Sequence, residues 1–262
     1  MRETKPGAAD LHIHTSYGDG MADLPELLDY VQRRTNLDVI AITDHDEIEG
    51  SLKARDIVAK GGYRFDVIPG MEISTSEGHL LALFLEKPVP SRRPVMETIA
   101  TVHALGGLCI IPHPMSWLTH SVGQSTLERL LRSRDREILP DGLETANATI
   151  AGKVTYEKVR LLNTERYHLA ETGGSDAHFL AQVGSGYTTF KGRSAADLRW
   201  SLENCVTRGT CGASVKLSRI GYGKVLRQQW KSLVMLPSRS LNRSIKRIFA
   251  GLMRESRSSI PL

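Results

Sequence analysis

The chain has 262 residues, with 34 Lys and Arg against 29 Asp and Glu, nine His and three Cys, for a formal net charge of +5. A hydrophobic content of 40% suits one large globular domain with room for a small appendage, and no run approaches the ~20 apolar residues that cross a bilayer. Cys109, Cys205 and Cys211, with no C-x-x-C pair, argue against a disulfide framework and against a thiolate metal site; the polar opening MRETKPGAAD has no signal-peptide core, so a cytoplasmic location is expected.

Short apolar runs alternate with helical patterns along the chain. Leu11–Ile13 reads as a strand, and Asp23 caps a helix with Pro25 in its first turn and Glu26 three residues after the cap. "LDVIAITDHD" is a buried strand with a polar end, and "EGSLKARDIVAK" is a helix closed by Gly61 and Gly62. "FDVIPGMEI" and "HLLALFL" are strands, "PVMETIATVHAL" a helix stopped by Gly106 and Gly107, and "LCIIPHP" a strand. Then come a helix "STLERLLRSR", a strand "DGLETAN", a helix "KVTYEKVRLLNTER", a strand "LAETGGSDAH" and a last helix "SAADLRWSLEN". The alternation predicts a parallel α/β sheet, open or closed into a barrel. Neither G-x-x-x-x-G-K nor G-x-G-x-x-G after a strand occurs, which argues against ATP or dinucleotide binding through those loops.

Charge divides the chain near Gly212. Residues 213–262 hold eleven Lys and Arg and one acid, Glu255, whereas residues 1–212 are mildly acidic. Two segments of the tail share an i, i+4, i+7, i+8 apolar spacing: Leu226, Trp230, Leu233, Val234, and Leu241, Ile245, Ile248, Phe249. A basic amphipathic tail of this kind can pack on the body, lie peripherally on an anionic membrane, or grip nucleic-acid phosphates. The expectation is that it recruits an anionic partner without touching the chemistry.

The chemistry-bearing residues gather at strand ends. His12, His14 and Asp19 follow the first strand; His45 follows the second; Glu72 follows "FDVIPGM"; His79 opens the next strand; His113 ends "LCIIP"; Asp176 and His178 end "LAETGGS". In a parallel barrel those ends form one rim, where sites are built. Six imidazoles and three carboxylates without a thiolate suit Mn, Fe or Zn. Nine donors exceed the needs of one ion, so two to three divalent ions are expected, with Glu72 suited to bridge. Such a site keeps positive charge and wants an anion, phosphate first among candidates. The period of two in a strand puts His12 and His14 on one side. Asp44 beside His45, Asn147, and His120 in the loop after "IIPHP" are secondary candidates for supporting or substrate contacts; His103 and His168 read as surface rings.

"DLHIHTSYGDG", "AITDHD", "PGMEIS", "GHLLALF", "IIPHP", "GLETAN" and "GGSDAHF…VGSGYTTF" together resemble, in order over residues 9 to 212, the polymerase-and-histidinol-phosphatase (PHP) domain. The resemblance implies a distorted (β/α)7 TIM-like barrel, here followed by a basic helical C-terminal tail, and a trinuclear centre. It implies a first metal on His12, His14, Glu72 and Asp176, a second on Glu72, His79 and His113, and a third on Asp19, His45 and His178. The implied activity is hydrolysis of a small phosphomonoester, nucleotide or oligonucleotide end by metal-activated hydroxide, with Glu72, Asp176 and His178 as catalytic residues. Nucleotide phosphatases of this kind often carry a helical insertion after the "HP" motif. The short stretch from His113 to Gly142 has no room for a large one, which leaves the pocket roof and the substrate open. Two other classes also stay open: an amidohydrolase-type metal hydrolase, which shares H-x-H after its first strand, and a non-catalytic metal-stabilised module recruited by its tail.

Overall fold

The computed structural model of the chain describes residues 5–133, 135–212, 215 and 220–235. Among the described residues nine strands form one sheet: β1 (Gly7–Ile13), β2 (Val39–Ile42), β3 (Asp66–Ser74), β4 (His79–Leu83), β5 (Leu108–Ile111), β6 (Gly142–Asn147), β7 (Ala170–Gly174), β8 (Gly186–Phe190) and β9 (Arg208–Cys211), in the spatial order β7-β6-β5-β4-β3-β2-β1-β8-β9. β1, β2 and β3 are parallel, as are β5, β6 and β7. The sheet curls until its far strand returns to β1: just past β7, Ala177 bridges to Ile13, with His14 N donating to Ala177 O at 2.9 Å. The result is a nearly closed, distorted α/β barrel.

The expected all-parallel sheet needs correction. β4 runs antiparallel to both β3 and β5, because the turn Thr75–Gly78 joins β3 to β4 too tightly for a crossover helix. β8 and β9, absent from the strands expected from sequence, add as antiparallel strands beside β1. "GYTTF" is short, and its buried–intermediate alternation is a weak signal beside the fully buried inner strands. The single helix expected over "KVTYEKVRLLNTER" is broken into pieces flanking Thr155, whose hydroxyl donates to Pro114 O.

Alternation sorts the core. Ala9, Leu11, Val39, Ala41, Ile68, Leu81, Leu83, Leu108 and Ile110 fill the barrel interior. The opposite face of the sheet meets the helices in two clusters, one around Ile13, Ile40, Ile42 and Val67, the other around Met71, Ile73, Leu80, Ala82, Cys109 and Ile111. Helix α1 (Leu24–Arg34) contributes Leu24, Leu27, Leu28 and Val31, an i, i+3, i+4, i+7 stripe, and is closed by the expected Asp23–Glu26 capping box. α2 (Glu49–Lys60) and α3 (Val95–Ala104) cover β2, β3 and β5, and α7 (Ala195–Glu203) starts from a Ser194–Asp197 capping box. α4 (Gln124–Leu131), α5 (Ile150–Lys153) and α6 (Tyr156–Leu162) follow the outer face.

In the tail, α8 (Tyr222–Trp230) is described. Its apolar positions Tyr222, Leu226 and Trp230, and Leu233 beyond, are exposed, while Gln228 is buried. The second apolar segment, Leu241 to Phe249, lies outside the described residues. No helix among the described residues is long and apolar enough to cross a membrane.

Candidate metal centre

One irregularity aims the first strand. β1 pairs Asp10 with Ile40 but Ile13 with Ile42, one extra residue on the β1 side. This bulge breaks the alternation: Ala9 and Leu11 point into the barrel, and after it Ile13 joins the outer core. His12 and His14 consequently face inward at the rim, fully buried. In β3, Glu72 follows Ile68 and Gly70 on the inner face. In β4, His79 shares the inner parity of Leu81 and Leu83. Because β4 is reversed, its first residue lies at the rim where the parallel strands end, and Ser74 pairs with His79. An expectation framed on C-terminal ends thus holds for His79 through a strand running the other way.

All nine candidates converge. The Glu72 carboxylate is central: Oε2 faces His12 Nε2 at 3.2 Å, His14 Nε2 at 3.3 Å and His45 Nδ1 at 3.4 Å. Oε1 faces His79 Nδ1 at 2.8 Å and His113 Nε2 at 3.2 Å. Asp176 Oδ1 stands 3.6 Å from His12 Nε2 and 3.4 Å from His14 Nε2. Beyond them, His178 Nε2 meets Asp19 Oδ2 at 3.1 Å and His14 Nδ1 lies 3.6 Å from Asp19 Oδ1. Donor atoms of His14, Asp19, His45 and His178 form one compact group, His12, His14 and Glu72 another, and His45, Glu72 and His79 a third. His14 thus joins the Asp19 group, which the resemblance did not imply.

The donor set fits divalent cations. Both nitrogens of His14, Asp19 Oδ1 and His79 Nδ1 are buried with no hydrogen-bond partner, although each has an oppositely charged or imidazole neighbour 2.8–3.6 Å away. Lone pairs that close without hydrogen-bond geometry point at shared centres rather than at one another. The charges agree. Burial opposes ionisation of Glu72, but the imidazoles of His45, His79 and His12 hold it well below the usual carboxylate range; Asp176 is lowered likewise against its burial by His12, His14 and His178. Burial drives His14 down, yet the Asp176 and Glu72 carboxylates carry it up to about 10, whereas at His45 burial prevails and pushes it to about 4. His12, His14, Asp19, Glu72 and His113 form the floor; His45, His79, Asp176 and His178 are partly exposed and form the mouth.

Supporting groups orient the donors. His12 Nδ1 donates to Glu144 Oε1 at 3.1 Å, His113 Nδ1 pairs with Ser121 Oγ at 2.8 Å, and His178 Nδ1 donates to the Asp176 carbonyl at 3.0 Å, each leaving Nε2 toward the centre. Asp44 is buried: it accepts from Thr15 N, Thr15 Oγ1 and Gly18 N and so shapes the loop that carries Asp19, and burial raises it to about 6. That loop closes only with glycine at position 20, where a Cβ would lie 2.3 Å from His14 O. Asn147 is buried, giving Nδ2 to Glu144 and accepting from Thr149, and so braces Glu144. His120 is exposed at the mouth, its ring 5.3 Å from that of His79. His113 (φ +30) and Asp176 (φ +51) hold left-handed backbone, a strain kept where geometry must be met.

Three contributors escaped the sequence reading. Glu144 had a signal, a carboxylate in the middle of a strand that is buried throughout. Asp10, one residue before "LHIH", accepts from Ser175 N and Gly184 N and ties the end of β7 to β1. Gln228, which reaches Asp19, had no local signal.

Comparisons with known proteins concern the family and the fold. A family model described as PHP-associated matches residues 163–204. An uncharacterised protein of Methanocaldococcus jannaschii is 33% identical over 150 residues, covering 53% of this chain and 81% of that protein. The 5'-3' exoribonuclease Rnm of Salmonella typhimurium is 35% identical over 88 residues, covering 32% of this chain and 30% of Rnm. Among solved structures, a two-domain protein of Bacteroides vulgatus containing a predicted PHP-like metal-dependent phosphoesterase superposes with a TM-score of 0.64 at 19% identity, over 79% of this chain and 65% of that one. This last likeness is one of fold.

Proposed function

Because the chain belongs to the PHP domain family, we propose that it is a metal-dependent hydrolase of phosphate esters, acting on a small phosphomonoester, a nucleotide or an oligonucleotide end with two to three Mn, Fe or Zn ions. The observation that carries this reading is Glu72, whose two oxygens face two different imidazole sets, the arrangement of a bridging carboxylate. The ions would be held by His12, His14, Glu72 and Asp176; by Glu72, His79 and His113; and by Asp19, His45 and His178, with His14 shared toward the last group. Bound there, divalent ions supply a nucleophile at neutral pH and Lewis-acid neutralisation of phosphoryl charge.

The chain's own residues do the rest. Glu144, Ser121 and the Asp176 carbonyl fix the tautomers of His12, His113 and His178, so no reorganisation is needed when an anion arrives. The dry floor of His12, His14 and Glu72 keeps the local dielectric low, which strengthens attraction for a phosphate. The partly exposed mouth at His45, His79, Asp176 and His178 admits it, with Asp176 and His178 beside the reacting group. His120, exposed beside His79, would be a substrate contact in this reading. The likeness to an exoribonuclease supports a nucleotide or oligonucleotide end among these substrates.

The test is a hydrolysis screen of Mn-loaded protein on p-nitrophenyl phosphate, bis-p-nitrophenyl phosphate, nucleotides, short 5'-phosphorylated RNA, and amide and lactone substrates. Metal-dependent release of phosphate or nucleotide is expected. Amide or lactone turnover alone would make it an amidohydrolase-type enzyme, and metal binding without any turnover would make it a module.

A further inference from the structure

Helix α8 is built inside out. Its apolar residues Tyr222, Leu226 and Trp230 are more than half exposed, and the residue it buries is an amide, Gln228, at 5% exposure. Burying an amide is unfavourable unless it is hydrogen-bonded, so the contacts of Gln228 matter to how this helix docks. Those contacts meet one short loop. Gln228 Nε2 donates to Asp19 Oδ2 at 3.3 Å. Gln229 Nε2 donates to Gln228 Oε1 at 3.0 Å, which turns the amide nitrogen of Gln228 toward Asp19. Lys231 Nζ donates to Gly20 O at 2.8 Å and Ser16 O at 3.4 Å, on either side of Asp19. Asp44 grips the same loop through Thr15 and Gly18. Asp19 is therefore held between two grips, with Oδ1 left unpartnered toward His14.

We infer that the C-terminal helix α8 is a clamp on the Asp19 loop, with Gln228 a positioning residue that sets occupancy of the metal position formed by Asp19, His45 and His178. The inference rests on the ligand assignment proposed above. Gln228 adds a neutral amide to Asp19 Oδ2 beside His178 Nε2, and so orients the carboxylate without adding a charge, while Lys231 Nζ donates to the backbone carbonyls of the same loop. Such an arrangement steers a ligand and leaves its charge for a cation.

Manganese titration of the full-length protein, read as equivalents and affinity classes by electron paramagnetic resonance, tests this. Wild type, Gln228→Leu, Lys231→Met and the control Lys224→Ala, an exposed position on the same helix, are compared, with thermal melting of each metal-free protein. Wild type and Lys224→Ala should bind two to three equivalents. Gln228→Leu should weaken one class by roughly 10–100-fold and leave the others unchanged, with the metal-free melting unaltered; Lys231→Met, which removes an independent contact to the same loop, should weaken the same class. Unchanged binding in both variants overturns the clamp and leaves the metal reading intact. A uniform loss across all classes with a lower metal-free melting temperature makes α8 a general brace and also overturns it. Failure of wild type to bind manganese overturns the ligand assignment itself.

Discussion

Glu72 stands at a point where five imidazole nitrogens approach one carboxylate, so its charge is the one the cluster can least do without. Glu72→Gln is expected to abolish phosphate-ester hydrolysis, whereas His103→Ala should leave it nearly intact. Equal losses in steady-state assays would mean that the site lies elsewhere. Glu144 acts through His12: Glu144→Gln should weaken metal binding by roughly 10–100-fold, seen by chelator competition. His103 lies apart from the nine candidates, bonding Glu137 O through Nδ1 at 2.8 Å and Asp141 Oδ2 through Nε2 at 2.9 Å. Both partners are acceptors, so the pairing wants the doubly protonated ring, and the hydrogen bond to Asp141 raises its pKa. A raised histidine contributes stability that is complete below its unfolded pKa, near 6.5, and is lost as pH climbs through the higher folded value. His103→Gln should therefore destabilise the fold more at pH 5.5 than at pH 9, the difference being on the order of 0.5 kcal/mol after solvent screening, as read from denaturant unfolding at the two pH values.

Elements carry these residues to the rim by three different devices. A bulge turns His12 and His14 inward, a reversed strand delivers His79, and a tight loop presents Asp19. The loop is the most vulnerable, because a Cβ at Gly20 would meet His14 O, C and Thr15 N, all backbone atoms that cannot move aside cheaply. Gly20→Ala should destabilise by about 1–3 kcal/mol through overpacking and reduce bound manganese. Gly123→Ala, where nothing lies within 4 Å and φ is −75°, should stay within about 0.5 kcal/mol of wild type. Comparable losses in both variants, measured by denaturant unfolding, would show that the loop is not under this constraint. The strand pattern of these elements was legible in sequence. The reversal of β4 was not, since pairing direction depends on the turn and on which neighbours close the sheet.

Across the whole molecule, the proposed metal centre should couple metal binding to stability. Buried carboxylates and imidazoles that lack hydrogen-bond partners are unfavourable in the metal-free fold, and a cation bound only by the folded state stabilises it by mass action. Manganese at about 100 times its dissociation constant should add roughly 2.7 kcal/mol, a rise of several degrees in melting temperature for a chain of this size. Chelator should reverse that rise, and a melting curve indifferent to manganese would contradict the assignment. The tail belongs to this scale too. It reads in sequence as a separate basic appendage, yet Gln228 lies against Asp19 across the molecule.

Sequence alone determined the chemistry of the donors. Nine side chains of matching ligand type recur at strand ends because a β/α chain returns to the same rim after every crossover, and that return is written in the alternation of strand and helix patterns. The spacing of His12 and His14 even places both rings on one side of a strand. Which side that is, only the tertiary structure decided: an extra residue between Asp10 and Ile13 turns the pair inward, and nothing in "DLHIH" marks a bulge, because a bulge is a property of two strands pairing out of step. The same holds for Gln228. Its contact with Asp19 joins residues some two hundred positions apart and follows from how the tail helix docks, which no local periodicity encodes.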